Sequence, residues 1–491
     1  MSLRVLLIDP MTPYSDQVNL GIVSLASYID RIGYNVRIVD MNFRKQDAHE
    51  RLDEALSQLN PEVVGISIMT YFAFSEVRAL LRKLRTKTKS RIVVGGASPS
   101  MFPDRMLSDN DEIDFLVVRE GEETFAELLS VLSHGSDKFS DINGLAFRQG
   151  KGVHVNDKRS PIRDLDSLPM LNFSLVDLVT KYGFQYYKGT YIMATSRGCP
   201  YNCSFCLSNG LCDRRWRPFS AQRVVDEIKN AYRKYGLQRI SFQDDNFIMR
   251  PQRVIEICRL IRDHGLNVNL HLEGGIRADR LTEESLRELC SSGLESGILA
   301  VESGSTKVFD MINKGETLQA VEKAIFMLKS ANIDLQVFMI LGLPGDTHQT
   351  FLESMKFAKK HNLKCRWHFA FPFEGTRMYE YVKSNGRFLR KCSGYDIDVI
   401  SDNDVTVPGT FPLAFDTPEY PAPQRVSDYY YAVIDSENLF YIYGAKYEGQ
   451  VLRSMRLLLQ VLRYAPHKLP TYFLMGLRKY WRVFKSLFKK I

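Results

Sequence analysis

Cys199, Cys203 and Cys206 fall within eight residues of a 491-residue sequence that holds eight cysteines in all. Crowding of this kind in a long chain favours metal binding over a disulfide framework. Zinc sites usually present two C-x-x-C pairs. Here only Cys203 and Cys206 form one, and Cys212 would have to serve as a fourth ligand. Three thiolates suit three irons of a 4Fe-4S cluster, whose fourth iron stays open to a substrate. Phe205, between the last two cysteines, would shield such a cluster.

The cysteine run follows a strand-like stretch at 191–195, which puts it in the loop at a strand's C-terminal end, where barrel chemistry belongs. From Tyr191 a βα series follows, with strand starts near residues 191, 239, 267, 296, 334 and 364. The spacing fits whole β-loop-α units. Six units predict a partial (β/α)6 barrel over 191–385. Upstream, short β-branched runs at 5–8, 36–39, 63–67, 91–94 and 115–118 alternate with helical stretches, which predicts an α/β, doubly wound, Rossmann-like domain over 1–150. Such sheets bind ligands at the carboxyl ends of their strands. The polar stretch 151–190, with Ser160-Pro161 and Leu168-Pro169, reads as a linker. Residues 386–491 read as an aromatic- and Pro-rich stretch followed by a helical C-terminus.

The C-x-x-x-C-x-x-C spacing, with an aromatic residue before the third cysteine and a strand that opens a βα barrel, resembles the radical S-adenosylmethionine (SAM) superfamily. The resemblance implies that the open iron chelates SAM and that reduction releases a 5'-deoxyadenosyl radical. It extends from Thr195 to Thr376. Gln243 or Asp244 would meet the SAM methionyl amine, although Gln243-Asp244-Asp245 departs from the common glycine-glycine-glutamate form. Arg277, Glu302 and Ser303 would lie near the SAM carboxylate and ribose, and Leu343, in Gly342-Leu343-Pro344-Gly345, in the adenine-contacting turn. In the first domain Ser67, Thr70, Gly95, Gly96, Glu120 and Gly121 resemble strand ends of the cobalamin-binding domain in cobalamin-dependent radical SAM enzymes. Glycines at 95 and 96 would let the backbone approach a bulky ligand closely. The Asp-x-His-x-x-Gly motif that supplies histidine to cobalt elsewhere is missing, since Asp16-Gln17-Val18 carries valine at the ligand position. The expectation is cobalamin without an imidazole from that loop. Methylthiotransferases, which hold a further cluster on N-terminal cysteines, are excluded because no cysteine precedes Cys199.

The resemblance implies transfer of a methyl group from methylcobalamin to an unactivated carbon after hydrogen abstraction. Cyclisation, ring contraction or oxidation with the same cofactors are the alternatives, and a corrinoid carrier or sensor without catalysis is the reading from another class. Implied partners are a small-molecule, lipid-like or peptide substrate and a low-potential electron donor such as flavodoxin or ferredoxin. Net charge is +8, yet the ten lysines and arginines after Glu448 account for all of it, leaving the remainder near −2. That locality argues against nucleic acid as a partner. Arg478, Arg482, Lys485 and Lys489 share one helical face, opposite Phe473, Leu477, Tyr480, Phe484, Leu487 and Phe488. This basic amphipathic pattern suits either peripheral contact with a membrane or docking onto the protein itself. No stretch approaches the roughly 18 uninterrupted apolar residues of a membrane span, and residues 4–9 are too short for a signal core, which places the chain in the cytoplasm. Cys258 and Cys290 read as core; Cys365, Trp367 and His368, on the sixth strand, are candidates for the barrel interior.

Overall fold

The computed structural model describes residues 3–12, 18–69, 74–150, 152–395 and 413–435. Valine- and isoleucine-rich runs form β1 (Arg4–Asp9), β2 (Asn35–Asp40), β3 (Val63–Ser67), β4 (Arg91–Gly95) and β5 (Phe115–Val117), all parallel. They are followed by an antiparallel hairpin of β6 (Leu145–Gln149) and β7 (Gly152–Val155). The order is β2-β1-β3-β4-β5-β6-β7. Two apolar clusters, one on each face, contain Val5, Leu7, Ile22 and Phe125 or Leu6, Ile8, Leu52 and Leu81. Parallel strands buried on both faces read as continuous apolar runs, as these do.

The segment read as a linker is largely structured. β7 lies past residue 150 and completes the first sheet. The helix Asp177–Tyr182 packs beside β2, where Asp177 forms an ion pair with the buried Arg51, and the Tyr187 hydroxyl donates to Asp40 at 2.7 Å. Phe173, Val176, Leu178 and Tyr187 are buried, but their irregular spacing gives no periodic signal in so polar a stretch.

The second sheet holds β8 (Thr190–Met193), β11 (Arg239–Phe242), β12 (Asn269–Ile276), β13 (Leu294–Glu302), β14 (Asp334–Leu341) and β15 (Lys364–Phe369), in the order β15-β14-β13-β12-β11-β8. Every pairing is parallel. Between β8 and β11 lies a short antiparallel ribbon of β9 (Ser196–Arg197) and β10 (Arg217–Pro218). Along β14 and β15 buried residues that face the helical layer alternate with half-buried residues that face the barrel interior. Cys365 and Trp367 belong to the former set, packed in the core, and His368 to the latter.

A last ribbon of β16 (Arg387–Phe388) and β17 (Phe415–Asp416) leads to the helix Ala422–Asp435, which packs against β15 and the helix His348–Lys360. Its Arg425 is 1% exposed and donates to the carbonyls of Tyr420 and Phe415. No helix among the described residues is long and apolar enough to cross a membrane. The basic pattern at 473–489 lies outside the described residues.

Candidate functional site

The chain leaves β8 through Thr195 and Ser196, and Asp244, at the end of β11, holds this turn from behind. Thr195 N donates to both Asp244 carboxylate oxygens at 3.0 and 2.9 Å, Thr195 Oγ1 to one of them at 2.8 Å, and Ser196 Oγ to the same one at 2.5 Å. Asp244 is 1% exposed, and burial pushes its pKa up against these donors. Its oxygens are thus committed to the loop that leads to the cysteines, a structural part in place of the expected contact with the SAM amine. Gly198 follows at φ +81°, where an added Cβ would sit 2.3 Å from the Arg215 carbonyl, so the entry to the loop admits only glycine.

The loop itself is tied to the barrel. Ser204 N donates to Ile312 O at 2.8 Å, Met378 N donates to Ser204 O at 2.9 Å, and Asn209 Nδ2 donates to Cys203 O at 3.2 Å. Phe205 packs against the apolar cluster that contains Leu343, Val308 and Met378, so both expected cofactor positions help to seat the loop. Cys199, Cys203 and Cys206 are half-buried and free of disulfides. Burial pushes the thiols of Cys199 and Cys203 up to about 11 and about 12, and that of Cys206 upward as well. Thiols so disposed ionise when the positive charge of a metal centre compensates the lost solvation. Among the described residues no three histidine, cysteine or acidic side chains converge on a point that one ion could occupy. Thiolates that each take a different iron of a cluster need no such convergence.

Around this loop several buried polar atoms lack a hydrogen-bond partner among the described residues: Arg277 Nη2, Ser204 Oγ, Ser305 Oγ and Asn246 Oδ1. Orphans of this kind call for a ligand or water. A molecule that bears a carboxylate, an amine and hydroxyls would satisfy them, so the residues present fit SAM. Arg277 is held ready: its Nη1 donates to Lys314 O at 2.8 Å, and its guanidinium lies 3.3 Å over the ring of Tyr201, within the cysteine loop. Other expected SAM positions are engaged in the barrel wall. Glu302, at φ +70°, pairs with buried Lys314 at 3.4 Å, and Ser303 Oγ lies 3.2 Å from Ser354 Oγ. Gln243 Nε2 donates to Ser241 Oγ at 2.8 Å and to Glu273 Oε2 at 3.1 Å, inside the barrel. Nearby, burial and then Arg366 push the His368 imidazole down to about 4, so it is neutral at physiological pH.

A cavity of about 470 Å³ separates the carboxyl ends of the first sheet from the cysteine loop. It brings together Ser67, Gly95, Gly96, Glu120 and Gly121 with Met193, Gly198, Cys212 and Asp245 of the barrel. Thr70 lies outside the described residues. One wall is apolar, with Leu7, Ile22, Val93, Val117 and Phe125. Gly96, at φ +106°, brings its backbone so near Ile68 that a Cβ would meet that carbonyl at 2.6 Å. A roomy, mostly apolar cavity edged by glycines fits a bulky ring that carries a tail. No described residue that lines it is a histidine, and Val18 is buried in the core. Glu120 is not open to a ligand in the way expected: Arg217 Nη1 donates to it at 3.1 Å, and so does Ile162 N at 2.9 Å.

Asp245 is the acid that sequence reasoning passed over. It lines the cavity, receives the Gly198 N–H, and burial followed by the charge of Asp244 pushes its pKa up. The signal was the doubled acid Asp244-Asp245 just past β11: Asp244 is spent on the Thr195–Ser196 turn, and its neighbour lines the cavity. The Cys212 thiol, on the same wall, donates to Ser208 O at 2.8 Å.

Residues 11–129 match the B12 binding domain and residues 193–358 the Radical SAM superfamily. The chain is 28% identical over 371 residues to an uncharacterised methyltransferase of Pyrococcus horikoshii, covering 75% of this chain and 79% of that one. It is 27% identical to the anaerobic magnesium-protoporphyrin IX monomethyl ester cyclase of Synechocystis sp., covering 72% of each. The fold matches that of the radical SAM methyltransferase TsrM from Kitasatospora setae, solved with tryptophan and a SAM analogue, at a TM-score of 0.71 and 18% identity over 89% of both chains. A B12 domain and a radical SAM domain in one chain, with their ligand-binding ends turned to a common cavity, make this protein a member of the cobalamin-dependent radical SAM enzymes, which use cobalamin, SAM and a 4Fe-4S cluster.

Proposed function

We propose that the protein is a C-methyltransferase that acts on an unactivated carbon of a small molecule. The observation that carries this reading is the shared cavity, where the strand ends of the B12 domain and the neighbours of Cys199 line one space. The methyltransferase names of the Pyrococcus horikoshii relative and of TsrM support it. When bound, the cluster with SAM supplies a hydrogen-abstracting radical, and cobalamin supplies the methyl group. The chain's own part is placement and the exclusion of water. Cys199, Cys203 and Cys206 hold the cluster, Arg277 with Ser204 and Ser305 orients SAM, and Gly95 and Gly96 admit the corrin. Asp245, raised in pKa and open to the cavity, takes up a proton or a cationic group there. Ring formation without net methylation is the second reading, favoured by the 27% identity to the Synechocystis cyclase. A flavodoxin- or ferredoxin-like donor in the cytoplasm would supply the electron, and the basic tail would give peripheral contact with the membrane.

The test is turnover of anaerobic, cobalamin-loaded protein with a low-potential reductant, methyl-labelled SAM and candidate substrates drawn from metabolites that accumulate when the gene is deleted. The expected result is S-adenosylhomocysteine and 5'-deoxyadenosine in comparable amounts, with label on a product carbon, and loss of 5'-deoxyadenosine in Cys203→Ala. An altered but unlabelled product would replace methyl transfer with cyclisation or rearrangement.

A further inference from the structure

The end of β5 reads Arg119-Glu120-Gly121-Glu122, and all three of its charged side chains reach across the cavity to the barrel. Arg119 Nη2 donates to the Gly210 carbonyl at 2.9 Å and to Asp213 at 2.7 Å, while Arg119 Nη1 donates to the other oxygen of Asp213 at 2.5 Å. Glu120 pairs with Arg217. Glu122 accepts from Arg197 Nη2 at 2.6 Å and from Ser24 Oγ at 2.8 Å. The barrel partners are not scattered. Arg197 stands two residues before Cys199, Gly210 and Asp213 follow Cys206, and Arg217 pairs with Arg197 across the β9–β10 ribbon. The cysteine loop is therefore gripped on both flanks by one tetrapeptide of the B12 domain.

Two features set this apart from ordinary surface pairing. Glu122 is 3% exposed, and its charged form persists at that depth because Arg197 lies against it. Arg119 adopts φ +69°, a backbone conformation that L side chains other than asparagine and aspartate seldom take, and its N–H is met by Ser100 Oγ at 2.6 Å. Strain of this kind persists where the surroundings over-determine it. Here it turns the guanidinium towards Asp213.

We propose that Arg119, Glu120 and Glu122, with Arg197, Arg217 and Asp213, form a clasp that fixes the distance between the cobalamin-binding strand ends and the cluster loop. These are positioning residues: their partners are one another together with Ser24, Ser100, Ile162 and the Gly210 carbonyl, and none is a cluster ligand. The inference rests on the cobalamin and radical SAM assignment. Its chemical purpose is that both cofactors must address one substrate carbon, and near-attack placement tolerates little drift.

The test uses holoenzyme with cob(II)alamin and the reduced, paramagnetic cluster, in which pulsed electron paramagnetic resonance reads the dipolar coupling between the two spins. Wild-type protein should give one narrow distance distribution. Arg119→Gln, and the paired variant Arg197→Gln with Glu122→Gln, should broaden it while each cofactor's own spectrum and stoichiometry stay as in wild type. Unchanged distributions would overturn the proposal, and so would altered cofactor spectra at an unchanged distance, since these would make the residues part of a cofactor pocket. Hydrogen exchange at 117–122 and 196–217 needs no cofactor: it should rise in both segments together in Arg119→Gln, and a rise in neither or in one alone would also overturn the clasp. Arg119→Gln is the safeguard if the buried pair fails to fold, because Asp213 is 43% exposed and tolerates the loss of its partner. Wild-type protein that binds no cobalamin would sink the family assignment, and the exchange experiment would still judge the clasp.

Discussion

Gln243 and Asp244 stand side by side at the end of β11 and do different work. Asp244 receives the Thr195 N–H and the hydroxyls of Thr195 and Ser196, so removing it leaves buried N–H and O–H groups unmet and Arg253 without its nearby charge. Asp244→Ala should therefore cost roughly 3–5 kcal/mol, the range for breaking a buried charged network. Gln243 is half-buried and bonds to neutral Ser241 and to Glu273, so Gln243→Ala should cost about 1 kcal/mol. Denaturation midpoints read the two stabilities, and equilibrium dialysis with SAM reads binding. The expected pattern is a large loss of stability for Asp244→Ala and, for Gln243→Ala, near-normal stability with SAM binding little changed, since its amide is engaged by Ser241 and Glu273. Equal stability losses would refute the division. The cysteine spacing was legible because the ligands are local in sequence. Which of two adjacent acids faces inward was not, because it depends on partners in the Thr195–Ser196 turn and on Arg253 of the helix Pro251–Asp263, all distant in sequence. The partners of Glu120 were hidden for the same reason, since Arg217 lies 97 residues further on.

The strand order follows from elements whose starts were readable. Parallel strands buried under helices leave runs such as Val36 to Val39 or Val337 to Leu341, and the crossover lengths fix their spacing. The antiparallel hairpin β6–β7 and the packed stretch after it were missed, because residues 156–189 hold short 3-10 turns and one six-residue helix whose buried side chains follow no period. The consequence is measurable. A fragment ending at residue 150 would lack β7 and would strip Asp177 from Arg51, which is 5% exposed, and Tyr187 from Asp40. Arg51 keeps Asp47 and the Phe43 carbonyl, so the lost charged hydrogen bond to Asp177 costs about 1.5–3 kcal/mol. The fragment 1–189 should thus unfold at a clearly higher denaturant midpoint than 1–150, and Asp177→Ala in the longer fragment should abolish part of the difference. Equal midpoints would return 151–189 to the status of a linker.

The whole molecule carries its charge unevenly. Residues 466–491 hold seven lysines and arginines and no acid, whereas the chain up to Glu448 is near −2. Two destinations suit such a tail: an anionic surface, or the protein's own exterior with the apolar residues turned inward. Their salt dependence separates them. Attraction to acidic lipid is worth at most about 1 kcal/mol per basic residue near the surface and fades as the screening length falls from about 30 Å at 0.01 M salt to about 10 Å at 0.1 M. An apolar face packed on protein is indifferent to that change. Removal of 466–491 should therefore lower partitioning onto vesicles of mixed neutral and anionic phospholipid, with the largest difference at low salt and almost none on purely neutral vesicles. If full-length and truncated protein partition alike under all these conditions, the tail docks on the protein. The truncated form should then show a lowered melting temperature instead, because the apolar side chains of the tail would no longer cover the surface against which they pack.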